Sequence, residues 1–249
     1  MAATVFLAPD VPEPGATYVL GGDEGRHAAA VRRMRVGERL VLSDGAGRMA
    51  ACAVTATTKQ DVTVVCERAW DVPRPRPWVT VVQAIPKSDR AELAVELATE
   101  AGADAIVPWQ AARCIARWDG KADKAVARWR AVARSAAKQA RRAWVPEVYG
   151  LHSTAGLLAL LTSMHAKVVV LHEGSNLSLR DGDFAVASDV VIVVGPEGGI
   201  SPEELDALVA IGAQPALLGP TVLRTSTAAA VALGALGVLT HRWEGSPPS

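Results

Sequence analysis

Val190-Val191-Ile192-Val193-Val194-Gly195-Pro196-Glu197-Gly198-Gly199-Ile200-Ser201-Pro202-Glu203-Glu204 is the stretch whose reading decides the fold. Its first five residues are apolar and β-branched, the pattern of a strand buried on both faces. Gly195-Pro196 and Gly198-Gly199 then break the chain. Ser201-Pro202-Glu203-Glu204 restarts it as a helix, with a capping serine, proline at the first helical position and acids in the first turn. A buried strand that ends in a glycine loop before a helix is where open α/β folds place small ligands. A second unit of the same kind follows in Leu217-Leu218-Gly219-Pro220-Thr221-Val222-Leu223-Arg224-Thr225, before an apolar helix from Ser226 to Leu239. Two such loops so close in sequence imply one shared pocket.

Working outward, strands and helices alternate on both sides of this stretch. Residues 79–85, 105–108 and 168–172 read as strands. Residues 89–101, 121–142 and 154–161 read as helices. The alternation predicts a parallel sheet covered on both faces, an α/β fold. Residues 1–70 differ. Short strands at 4–7, 17–20, 39–43, 49–57 and 62–68 are separated by Gly21-Gly22 and Asp44-Gly45-Ala46-Gly47, with a short helix over 24–34. This is a small β-barrel pattern. Asp71 to Pro77, with prolines at 73, 75 and 77, is a stiff linker and the best domain boundary, and residues from Glu244 onward read as a frayed tail.

Composition narrows the function. Half of the 249 residues are hydrophobic, enough for a sizeable core, and no apolar run approaches a membrane span. No basic region followed by an apolar segment marks a secretory leader. Cys52, Cys66 and Cys114 have no CxxC spacing, which argues against a disulfide framework and against a metal site; Cys114 reads as a buried thiol. A reducing cytoplasm is the simplest setting. The net charge is zero but unevenly placed. Residues 113–142 carry ten basic residues against two acids, whereas residues 143–249 carry four against ten. A neutral total therefore hides a basic surface of the kind an anionic polymer needs. On the long helix, Val126, Trp129, Ala133, Ala136 and Ala140 form an apolar stripe, with Lys124, Arg128, Arg134, Lys138 and Arg141 beside it.

The glycine loops lack both GxGxxG and GxxxxGK[ST], which disfavours dinucleotides and nucleoside triphosphates. A small ligand without phosphates needs backbone donors and acceptors in an apolar slot. Gly195, Gly198 and Gly199 allow close backbone approach. Ile200, Leu218 and Leu223 offer walls for an adenine, and Leu171-His172-Glu173-Gly174 ends a third strand able to complete the pocket. Arg224 stands alone in an apolar loop, as a partner for Glu197 or a helix carboxylate, or as a contact to RNA phosphate or uracil. His27 and His172 read as hydrogen-bonded structural histidines rather than bases.

Several motifs resemble those of the RsmE family of SPOUT-class RNA methyltransferases. They are Gly195-Pro196-Glu197-Gly198-Gly199, Leu218-Gly219, Leu223-Arg224-Thr225 and Thr227-Ala228. Earlier in the chain, Arg26-His27, Val31 to Glu38, Pro86-Lys87-Ser88-Asp89-Arg90 and Ala98 to Gly102 also fit, as do Arg113, Arg128-Trp129, Gln139 to Arg142 and Val145-Pro146-Glu147. The resemblance covers nearly the whole chain. It implies a PUA-like β-barrel RNA-binding domain over 1–72 and a SPOUT methyltransferase domain over 73–249 whose C-terminal chain forms a trefoil knot. It also implies a homodimer, no metal, and S-adenosylmethionine-dependent methylation of uridine N3 in 16S ribosomal RNA or the small ribosomal subunit, a step of ribosome biogenesis. The cofactor would lie on Leu171, His172, Glu173, Gly174, Gly195, Pro196, Glu197, Gly198, Gly199, Ile200, Leu218, Gly219, Leu223, Arg224 and Thr225, with Arg224 the catalytic candidate and no general base assigned. RNA would meet Arg26, His27, Arg32, Arg33, Arg35, Arg113, Arg128, Arg134, Lys138 and Arg142. Two positions depart from the family: Ser226 stands where glutamate is frequent, and Leu97 where lysine is.

Three functions compete: this methyltransferase, or a SPOUT enzyme acting at another RNA position; a non-catalytic RNA-binding module with a vestigial pocket; and a small-molecule α/β enzyme. Two intact loops favour catalysis over the second, and the charge split favours RNA over the third.

Overall fold

The computed structural model describes residues 3–87 and 90–244; the expectations for Ser88, Asp89 and the tail from 245 on fall outside the described residues. The chain divides into two compact units. Among the described residues, one is built from the chain up to Arg74 together with Ala137–Val145, the other from Pro75–Ala136 and residues 146–244.

In the first unit, β1 (Thr4–Leu7), β2 (Thr17–Leu20), β3 (Arg39–Ser43), β4 (Arg48–Thr57) and β5 (Val62–Asp71) form a sheet in the order β1-β3-β4-β5-β2. The pairs are antiparallel except β1 with β3. Alternating inward residues make its core: Phe6, Leu20, Leu40, Leu42, Ala50, Cys52, Val54, Val62, Val64 and Cys66. Register shifts at Ala51/Cys52 and Val54/Ala56 mark bulges that bend the long β4–β5 ribbon. The predicted short helix is two pieces: α1 (Gly22–Arg26), then a π-helical turn over His27–Val31. A wide turn rich in alanine cannot be told from α-helix by periodicity. Ala137–Val145 joins this unit through backbone bonds that local sequence could not announce. Gly47 N–H donates to Ala143 O at 3.0 Å, Val145 N–H to Gly45 O at 2.9 Å, and the Trp144 indole to Val72 O at 3.0 Å.

Burial in this core pushes the Cys52 thiol up to about 12 and raises those of Cys66 and, in the second unit, Cys114. A thiol whose folded pKa lies above its unfolded value stabilises the fold while protonated. That contribution is complete below pH 9.0, the ordinary thiol value, and for Cys52 is lost as pH rises toward about 12. Denaturation midpoints should therefore fall on going from pH 8 to pH 11. At pH 8 a thiol reagent should label the three cysteines rapidly only in denaturant. Fast labelling of the native protein would contradict this packing.

The second unit is a parallel sheet. Its strands are β6 (Trp78–Ala84), β7 (Ala105–Gln110), β8 (Glu147–Val148), β9 (His152–Ser153), β10 (Lys167–Leu171), β11 (Asp189–Val194) and β12 (Gln214–Ala216). They run in the order β12-β10-β11-β6-β7-β8, with β9 also on β7. The helices are α2 (Ala91–Glu100), α3 (Ala122–Gln139), α4 (Thr154–Ser163), α5 (Pro202–Ala210) and α6 (Thr225–Leu239). Strand alternation sorts the core. Val190, Ile192 and Val194 of β11 pack with Val95, Trp129, Ala229 and Leu236 from α2, α3 and α6. Val191 and Val193 face Leu157, Leu161 and Leu208 from α4 and α5. The stripe read on α3 is core at Val126, Trp129 and Ala133. The two-residue strands β8 and β9 and the proline-containing β12 were not predicted; they are too short for a period to show.

Candidate functional site

The carboxyl ends of β10, β11 and β12 carry the loops 171–174, 195–200 and 217–225, which line one cavity of about 960 Å³. Open parallel sheets place ligand sites at this end of their strands. The cavity therefore brings together all fifteen residues expected to touch the cofactor except Gly174, which lies just behind His172. It adds Lys87, Arg90 and Arg113, together with Val194, Pro202, Leu205, Asp206, Leu217, Thr221, Val222 and Ala228. Lys87 and Arg90 belong to a motif quoted from the sequence, but nothing local to it pointed toward the glycine loops.

Each loop is held by identifiable bonds. The helix after the first loop starts with a capping box: Ser201 Oγ accepts from Glu204 N–H at 3.2 Å, and Glu204 Oε2 accepts from Ser201 N–H at 3.2 Å. Glu197 does not pair with Arg224; its carboxylate accepts the Lys87 backbone N–H at 3.0 Å. His172 lines the cavity, its Nδ1 accepting from Gly174 N–H at 3.1 Å. His27 packs edge-on against Phe6, ring centroids 5.9 Å apart. Arg224 precedes the first turn of α6 and is exposed in the cavity wall, and no acid pairs with it among the described residues. Beneath that turn, buried Gln83 at the end of β6 donates from Nε2 to Thr225 O at 3.3 Å. Ser226, one of the two departures from the family pattern, is buried, and its hydroxyl has no partner among the described residues. Leu97, the other, is half-buried on α2.

The glycines have different tasks. Gly199 has φ +74, so its conformation alone excludes most side chains. Gly198 lies against protein: a Cβ there would sit 3.1 Å from both the Cβ and the carbonyl oxygen of Arg113. Its hydrogen atom therefore makes room for the Arg113 loop, and the Arg113 guanidinium reaches the Gly198 carbonyl at 3.4 Å. Gly219 has open space in front of it. Gly219→Leu should fold as the wild type does and fill the cavity. Gly198→Val should instead push the glycine turn away from Arg113. Calorimetry on both variants is expected to show at least a tenfold loss of affinity for the cavity's ligand, about 1.4 kcal/mol, with thermal stability lowered only in Gly198→Val. Unchanged affinity in Gly219→Leu would remove the cavity from the site.

The residues expected to meet RNA divide between the units. Arg26, His27, Arg32, Arg33 and Arg35 lie in the first, as do Lys138 and Arg142, because the end of α3 belongs there. Arg113, Arg128 and Arg134 lie in the second. Several have partners already. Arg26 pairs with Asp23 and Arg128 with Glu92, all on the surface. Arg32 donates to Thr4 Oγ1 at 2.8 Å, and Lys138 to Glu24 at 2.6 Å in a largely buried pair. Arg33 is exposed with φ +53, a left-handed backbone uncommon outside glycine. Among the described residues no group of three His, Cys, Asp or Glu could hold a metal ion, and no helix is long and apolar enough to cross a membrane.

A PUA unit followed by a parallel-sheet unit with paired glycine loops at its carboxyl edge defines a class, the RNA methyltransferases of SPOUT type. Residues 20–66 match the RNA methyltransferase PUA domain, and residues 73–237 match the RNA methyltransferase domain. The chain is 56% identical over 250 residues to ribosomal RNA small subunit methyltransferase E of Mycobacterium bovis, covering 99% of this chain and 95% of that one. Against the protein of the same name from Bacillus subtilis the identity is 32%, over 94% of each chain. Among solved structures it resembles ribosomal RNA small subunit methyltransferase E of Neisseria gonorrhoeae bound to S-adenosyl methionine, with TM-score 0.86 and 26% identity, covering 96% of this chain and 98% of that one. The chain belongs to the ribosomal RNA small subunit methyltransferase E family.

Proposed function

We propose that this protein transfers a methyl group from S-adenosylmethionine to N3 of a uridine in small-subunit ribosomal RNA. Family membership carries the coarser statement, S-adenosylmethionine-dependent methylation of small-subunit ribosomal RNA. The single observation that carries it to this chain is the cavity that gathers all three loops at the carboxyl edge of the sheet.

The cavity fits the donor. Leu171, Ile200, Leu218 and Leu223 are apolar walls, Gly219 leaves space, and Glu173 and the turn amides offer polar partners to a cationic amino-acid ligand. Its volume is at the upper end for a small-molecule site, which leaves room for a base beside the donor. When bound, the donor supplies an electrophilic methyl on a sulfonium. This chain's tasks are alignment and charge. Uracil N3 lies on the Watson–Crick edge, so the base must be unpaired or extruded to enter. Transfer requires loss of the N3 proton. The Arg224 guanidinium and the amino end of α6 face the cavity where negative charge develops on the uracil oxygens, and both favour the anion. With that help the N3 proton can leave to solvent, so no dedicated base is required.

The finer features extend this reading. The C-terminal chain threads into a trefoil knot that presents the loops 195–200 and 217–225. The protein acts as a cytoplasmic homodimer, the half-open apolar side of α6 at Val231 and Val238 being suited to a second copy. RNA phosphates meet Arg26, Arg32, Arg33, Arg35 and Arg142 in one unit and Arg113, Arg128 and Arg134 in the other. The domains divide at the proline-rich segment near residue 73, with Ala137–Val145 returning to the first. Lys138 contributes by fixing Glu24 rather than by touching phosphate.

Binding to a small-subunit ribosomal RNA fragment should weaken steeply with salt, because each phosphate contact releases counterions. Six contacts would cost about three decades of affinity between 50 and 200 mM salt. Replacing Arg33 and Arg35 by alanine should flatten that slope and leave S-adenosylmethionine binding untouched. A salt-independent affinity would contradict the phosphate footprint. Calorimetry with S-adenosylmethionine tests the cofactor half of the proposal directly; absence of binding would end it.

A further inference from the structure

Glu204 is 5% exposed, and it is in contact with more than its own helix. Oε2 closes the capping box on Ser201 N–H, at the end of the glycine turn. Oε1 accepts the Ala112 backbone N–H at 2.8 Å and the Thr154 hydroxyl at 2.7 Å. The Thr154 oxygen in turn accepts the indole N–H of fully buried Trp109 at 3.2 Å. Ala112 immediately precedes Arg113, whose backbone packs on Gly198 and whose guanidinium reaches the Gly198 carbonyl. A single carboxylate thus grips both sides of the Gly198–Arg113 contact, using residues 92 and 50 positions away. A capping glutamate needs only its own helix; these extra acceptor bonds reach the loop that carries a cavity-lining arginine.

We propose that Glu204 is a positioning residue that sets Arg113 against the glycine turn, and so sets the shape of the cavity for both donor and RNA. The proposal rests on the methyltransferase reading above. Among the described residues every partner of the Glu204 carboxylate is a donor, so a carboxylate, which only accepts, satisfies all of them. Glutamine cannot. With its oxygen toward Ala112 and Thr154, its NH2 opposes the Ser201 N–H; turned over, it opposes Ala112 and leaves Thr154 without its acceptor. Either way one side of the contact is released, with almost no change in volume.

The test is a double-mutant cycle on the full chain with Glu204→Gln and Arg113→Ala, reading S-adenosylmethionine affinity by calorimetry and kcat on small-subunit ribosomal RNA. Each single substitution is expected to lower kcat at least tenfold. The double should be at least fivefold better than the product of the singles, because both loosen one contact. Multiplicative effects, or wild-type behaviour of Glu204→Gln, would overturn the proposal, since a merely supporting role predicts independence from Arg113. If Glu204→Gln does not fold, Thr154→Val in the same cycle removes the hydroxyl bridge alone and should show the same sub-multiplicative pattern; multiplicative effects there overturn it equally. Failure of the wild type to bind S-adenosylmethionine would instead strike the functional reading.

Discussion

Arg242→Ala is expected to destabilise the protein by about 3–5 kcal/mol, the cost of leaving a buried charge without its partner. Asp104 is fully buried at the start of β7, and its carboxylate lies 2.7 Å from the Arg242 guanidinium, itself only 8% exposed at the side chain. The same carboxylate accepts Val79 N–H at 2.9 Å. The guanidinium also donates to the carbonyls of Gly102, at 2.6 Å, and Pro77. One planar group therefore ties the turn after α6 to the strands that begin the sheet, while Trp243 covers Gly234 and Gly237 on α6. Removing it strands the Asp104 carboxylate and frees the end of the helix whose first turn lines the cavity. Lysine cannot present a fork to three acceptors, so Arg242→Lys should recover only part of the loss. Arg242→Met combined with Asp104→Asn should be milder than Arg242→Ala, because no unpaired charge remains. Thermal melting decides. A shift on the order of 10 °C is expected for Arg242→Ala, and a shift below 2 °C would contradict the account of this pair.

Arg224→Ala should leave S-adenosylmethionine affinity within a few-fold of wild type and lower kcat by about 10²–10³, the loss typical of one preorganised charge-stabilising donor. Arg224 lines the cavity, is exposed there, and has no acid partner among the described residues, so its charge is available to a ligand. Its carbonyl is committed to the first turn of α6, accepting from Thr227 and Ala228, which fixes the backbone beneath the side chain. If Arg224 eases loss of the uracil N3 proton, the variant should regain activity as pH rises, more steeply than wild type, because hydroxide then does what the charge did. Arg224→Lys should fall between. A variant with full kcat, or one whose defect lies wholly in cofactor affinity, would remove Arg224 from the chemistry.

The sequence was most legible where the structure is local. The run from Val190 to Val194, its break at Gly195 and the restart at Ser201 are β11, the cavity loop and α5, because a buried strand and a capped helix each carry their signal within a few residues. Charge and long-range bonding were less legible. Lys138 reads as a phosphate contact on a basic helix face, yet it is spent on Glu24, 114 residues away. Gly198 reads as a glycine for the ligand, yet its space belongs to Arg113. Glu204 reads as a helix-start acid, and only the fold shows that its other oxygen holds Ala112 and Thr154. Local pattern gives a residue its element; the partners that give it a task come from distant chain.

The measurement that meets the central claim most directly is nucleoside mass spectrometry after reaction of the full chain with S-adenosylmethionine and small-subunit particles or a large fragment of their RNA. The account predicts 3-methyluridine, with very little product from free uridine or short oligomers, which offer few of the phosphate contacts that drive binding. A methyl group on C5 or on a ribose hydroxyl, or equal turnover of uridine monomer, would contradict it.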